Sequence, residues 1–74
     1  AMSAHTHPAP AAALRDQLDL LLQERQIAQL EGLADPAYEA HLDDEIIATR
    51  SAYVGAAVTE IASLRAQMSG ALQG

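Results

Sequence analysis

The 74-residue chain has no cysteine, no lysine, no tryptophan and no phenylalanine, and each absence removes a class of explanation. Without cysteine there are no disulfides and no thiolate metal sites, the usual staples of chains this short. The same absence fits a cytoplasmic protein. Without lysine, four arginines face ten acidic residues, for a formal net charge of −6 at pH 7. Nucleic-acid binders displace counterions from phosphates with a basic patch, so this balance disfavours nucleic acid as a partner. No apolar run approaches the roughly 20 residues that span a bilayer, so no membrane segment is expected. The opening AMSAHTHPAP has neither the basic region nor the apolar core of a secretory signal, and Ala1 before Met2 reads as a cloning remnant.

What remains is a chain that is 50% hydrophobic, rich in alanine and leucine, with Tyr38 and Tyr53 as its aromatics. Alanine and leucine lose little on entering a helix, and strand formers are scarce, so an all-α fold is expected. Residues 1–8 are polar, carry His5 and His7, and read as a disordered tail. Pro8 and Pro10 suit the start of a helix, where a missing N–H costs nothing. A helical pattern then runs over about 9–31, and Gly32 is placed to end it. Asp35 followed by Pro36 is a helix-start signal, an acceptor for free amides before a proline at the first helical position. The second helix spans about 36–72. The turn, 32–35, has a length typical of antiparallel helical hairpins.

At 100° per residue, Leu14, Leu18, Leu21 and Leu22 form one stripe of the first helix, while Leu20 and Ile27 lie nearly opposite. In the second helix Tyr38, Leu42, Ile46, Tyr53, Ala57, Ile61, Leu64, Met68 and Leu72 form a broad stripe, widened by Ile47, Val54 and Val58. The other face of its second half holds Ala52, Gly55, Ala56 and Thr59, with Ala62, Ser63, Ala66 and Gly70. Small residues allow close approach of two helix backbones, so this face reads either as a second packing surface or as a solvated face of good helix formers.

The helix lengths do not match. With the turn centred near Ala34, facing residues have numbers summing to about 68–70: Leu22 near Ile47, Leu18 near Arg50 and Ser51, Leu14 near Val54, Ala9 near Glu60. Ile61, Leu64, Met68 and Leu72 then have no cover within their own hairpin, an overhang of roughly 15–18 Å. Burying those four side chains is worth about 6–10 kcal/mol before entropy costs. Exposed apolar rows of this kind mark interaction sites. The expected architecture is an antiparallel two-helix hairpin that assembles as a homodimer, into a four-helix bundle or a larger helical oligomer.

Among charged residues, Arg25 falls within the first apolar stripe and faces Asp43 and Asp44, while Arg50 falls in the apolar arc of the second helix. Arg25, Asp43 and Arg50 are therefore expected to form an inter-helix ion network that sets the register of the hairpin, or else to reach into an interface or ligand. Arg15 and Arg65 read as solvated or rim residues. Glu39 and Asp43 have helical ligand spacing, with His41 and Asp44 nearby, but the first helix offers only Glu24 and Glu31 at that level, so no metal and no cofactor is expected. No Gly-rich phosphate loop and no nucleophile–base set is present, so no catalytic residues are assigned and the chain is not expected to be an enzyme.

The layout is similar to the Rop family of plasmid copy-control proteins, dimers of hairpins that form four-helix bundles. That family binds RNA through a basic, aromatic-bearing face, which this acidic chain lacks. The stretch AAALRDQL, then LLQERQ and a short proline-containing turn, resembles small co-chaperones of type III secretion needle subunits over about half the chain, and small phage-encoded proteins that disable a host protein share this look. The leading expectation is an interaction module that self-associates and binds another protein by helix packing, as inhibitor, adaptor or chaperone, through Ala52, Gly55, Ala56, Thr59, Ile61, Leu64, Met68 and Leu72. The alternative is an oligomeric binder of a small anionic ligand or nucleic acid at an inter-subunit arginine site, drawn from Arg25, Arg50 and Arg65, with Tyr53 stacking beside Arg50.

Overall fold

A computed structural model describes residues 9–33 and 35–73, with side chains described through Gly70. The expected tail, 1–8, lies outside the described residues. Two helices, α1 (Ala11–Leu30) and α2 (Pro36–Gln73), pack side by side, and among the described residues there is no strand. The hairpin measures 60 × 33 × 15 Å. Its long dimension is the length of α2, since 38 helical residues rise about 57 Å.

Sequence chemistry fixes the turn. Gly32 adopts φ 67°, a left-handed conformation that costs a residue with a Cβ about 1–2 kcal/mol. Around it the Leu33 N–H donates to the Ala28 carbonyl at 3.0 Å and the Gly32 N–H to the Gln29 carbonyl at 3.4 Å. These paired bonds satisfy carbonyls that the last helical turn leaves free. Two residues later Asp35 starts α2. Its carboxylate accepts from the Tyr38 N–H at 3.2 Å, and its carbonyl accepts from the Glu39 N–H at 2.8 Å. Pro36 takes the first helical position, where no N–H is needed.

The core is small and sits toward the turn. Leu18 and Leu21 of α1 pack on Leu42 and Ile46 of α2, with Leu22 and Tyr38 partly buried against them. Ala28 and Ala11 are buried along the same edge of α1, and Thr49 along α2. Leu42, Ile46, Thr49, Tyr53, Ala56 and Glu60 follow alternating steps of four and three. That spacing is the seam of two helices packed nearly antiparallel, so these six positions face α1. The seam changes character along its length: branched aliphatics near the turn give way to threonine, tyrosine, alanine and glutamate.

Candidate functional site: the uncovered arm of the second helix

The two helices part company at Glu60. The N–H of Ala11, the first residue of α1, donates to Glu60 Oε2 at 2.7 Å. Pro10 precedes α1 without a side-chain cap, and α1 has no acidic residue in its first turn. The carboxylate of Glu60 supplies the missing acceptor and places negative charge at the positive end of the helix dipole. Beyond this tie α2 continues through residues 61–73 with no helix beside it, an arm of about 20 Å.

Every described side chain from Ile61 to Gly70 is exposed. Ile61, Leu64 and Met68 leave 58%, 58% and 60% of their surface open and, with Arg65 and Ser69, line a shallow hollow of about 310 Å³. The side chain of Leu72 lies outside the described residues. The apolar exposure extends back along the hairpin, because Ile47, Val54 and Val58 are also more than half exposed. Ile47, Val54, Ile61 and Met68 are spaced by seven, and Ile47, Val54 and Ile61 each follow an α1-facing residue by one. Their row therefore runs about 100° round α2 from its contact with α1.

The small residues divide at the start of α1: Ala62, Ser63, Ala66 and Gly70 are exposed on the arm beyond it. Ala52, Gly55, Ala56 and Thr59 line an open groove of about 740 Å³ together with Ala9, Pro10, Leu14 and Glu60. They stand beside the start of α1, on its flank, and not on a face turned away from it. The reason is the seam: Ala56 is one of its positions, and Ala52 and Thr59 stand one residue before Tyr53 and Glu60. Thr59 bonds its hydroxyl to the Gly55 carbonyl at 2.9 Å, one turn back along its own helix, so that hydroxyl is satisfied within α2.

The ion network expected of Arg25, Asp43 and Arg50 needs correction at one member. Arg25 Nη1 meets Asp43 Oδ1 at 3.2 Å across the helices, with both side chains roughly half exposed. Arg50 is exposed and makes no ion pair among the described residues. Thr49 takes the inward place of that turn, and Arg50, 100° further round, misses the α1 interface. His41 and Glu45 form an exposed pair one turn apart at 3.2 Å.

Two contacts gave no signal in the sequence. One is the Glu60 cap. The other joins Tyr38 to Glu24: the phenol donates to Glu24 Oε2 at 2.5 Å. That bond, with desolvation and the nearby charges of Glu24 and Glu45, raises the phenol above its ordinary value of 10.0. Tyr38 also borders a second hollow, about 450 Å³, with Leu20, Ile27 and Leu33 at the turn end.

Comparison with known proteins adds no relative: no family, no curated protein and no solved structure matches this chain. No helix among the described residues is long and apolar enough to cross a membrane.

Proposed function

We propose that this chain is a small protein-interaction module that associates with itself and docks a further protein by helix packing, as an inhibitor, adaptor or chaperone would. One observation carries the reading. The arm of α2 beyond Glu60 presents Ile61, Leu64 and Met68 to solvent, more than half of each exposed, on a helix continuous with the hairpin. A pre-ordered apolar helix face pays little entropy on docking, and helix-in-groove recognition uses anchors at this spacing. A lone hairpin of this size also buries too little surface to be comfortably stable, which favours assembly.

The test replaces Leu64 and Met68 with glutamate. Light scattering of the wild type is expected to give a multiple of the 7.8 kDa chain mass. The double variant is expected to run as a monomer that keeps most of its helical circular dichroism. A wild type that stays monomeric at tens of micromolar, or a double variant with unchanged mass, overturns the reading.

A further inference from the structure

We propose that the partner on the exposed row of α2 is a second copy of this chain, packed antiparallel so that Val54 of each copy lies beside Ile61 of the other. This rests on the self-association read above and adds the face, the direction and the register.

The argument begins with spacing. Ile47, Val54, Ile61 and Met68 repeat every seven residues and are each more than half exposed. A strict seven-residue apolar repeat on a helix face is the pattern that a partner helix covers. The row is also symmetric about a point between Ala57 and Val58. An antiparallel copy centred there sets Ile47 against Met68 and Val54 against Ile61, each pair occurring twice by the twofold axis, as a self-complementary interface requires.

Direction follows from the arm. In a parallel pair each arm meets only the other arm, and both stay open on the side where α1 is missing. In the antiparallel pair residues 61–73 of one copy run beside residues 54–42 of the other. That is the stretch where α1 is present and where Leu22 is only partly buried. The arm is then sheltered by two helices. Area points the same way. Two arms alone share about 20 Å of helix about 11 Å wide, roughly 200 Å² per copy, far below the roughly 800 Å² per partner of a specific interface. Overlap over residues 42–73 offers about 500 Å² from α2 alone in either direction, and only the antiparallel pair adds the flank of α1 beside each arm.

The register has a charge signature. It brings Arg50 of each copy near Arg65 of the other, a like-charge pair tolerable on long, exposed side chains. Reversing one charge should therefore tighten the dimer. Arg50→Glu is expected to lower the dimer dissociation constant about tenfold at low salt, through two new symmetry-related pairs. A one-heptad shift toward the turn puts Arg65 near Asp43, and a shift the other way puts it near Ala57. Arg50 then meets Val58 or Leu72, and its reversal does nothing useful.

The experiment uses the absence of native cysteine. Val54→Cys and Ile61→Cys are made singly, checked for helical content, and oxidised with oxidised glutathione alone and as an equal mixture, beside mass measurements. The expected result is a mixed Val54–Ile61 disulfide that forms faster than either homodimeric one. Rapid cross-linking of Val54→Cys or Ile61→Cys alone, marking a parallel or shifted pair, overturns this register and leaves self-association standing. So does an Arg50→Glu variant that dimerises no more tightly than wild type. A wild type that is monomeric throughout overturns both readings.

Discussion

The N–H of Ala11 and the carboxylate of Glu60, 49 residues apart in sequence, meet at 2.7 Å. The contact gives α1 the cap its own sequence does not supply, and it sets the level at which the arm of α2 begins. Glu60→Ala is expected to cost about 1 kcal/mol, the usual loss for a helix cap. Glu60→Gln, which keeps an acceptor but not the charge, should lose less. Urea unfolding measures the stability, and amide exchange should show the loss concentrated over residues 11–14. Unchanged exchange in that turn would mean the cap contributes nothing.

Gly32 and Gly55 should respond oppositely to alanine. At Gly32 the positive φ makes Gly32→Ala destabilising by about 1 kcal/mol. At Gly55 an added Cβ meets nothing within 4 Å, and the residue is mid-helix, so Gly55→Ala should raise hairpin stability by about 0.5–1 kcal/mol. Thermal melts of both variants compare the signs directly.

Ile46, only 2% exposed, anchors a core of few large side chains. Ile46→Ala should cost about 2–4 kcal/mol, enough to leave the chain largely unfolded at low concentration. Circular dichroism at 222 nm reads this out. A variant with wild-type helicity and midpoint would show that the hairpin core is not what holds the fold.

Tyr38 makes the hairpin sensitive to alkali. Its phenol titrates higher in the folded chain than in the unfolded one, so its contribution is fully present below about pH 10 and is lost as pH rises through the folded value. The chain has no lysine, so no ammonium side chain adds to the response in alkali. The melting temperature should fall as pH rises through and above the ordinary phenol value of 10.0, and Tyr38→Phe should flatten that fall. A slope identical in both proteins would remove Tyr38 as the cause.

The Arg25–Asp43 pair should matter little to stability. Both side chains are substantially exposed, and exposed pairs contribute about 0–1 kcal/mol and weaken with salt. A double-mutant cycle with Arg25→Ala and Asp43→Ala, run at 50 mM and 500 mM salt, should give a coupling under about 1 kcal/mol that shrinks at the higher salt.

Local chemistry made much of this fold legible. Gly32, Asp35 and Pro36 announce the turn by their own backbone preferences, whatever surrounds them. The register followed from the turn, and it placed Ala9 near Glu60, close to where the structure ties Ala11. Reading faces by apolarity failed at Thr49 and Arg50: geometry gives the inward position to a polar residue, and a hydrophobicity count skips it. Ala52, Gly55, Ala56 and Thr59 escape the same reading, because a stripe traced through the large side chains sets them opposite the flank of α1 that they line. Tyr38–Glu24 and Ala11–Glu60 carry no pattern at all, because a donor and an acceptor on different helices meet only once the register is set.

The position of the core near the turn has a consequence for how the chain folds. Leu21 and Leu42 are close in sequence, so their encounter closes a short loop, while Ala11 and Glu60 must close one more than twice as long. The hairpin should zip from Gly32 outward, on the fast timescale of helical folds with local contacts, and the Ala11–Glu60 end should close last and open first.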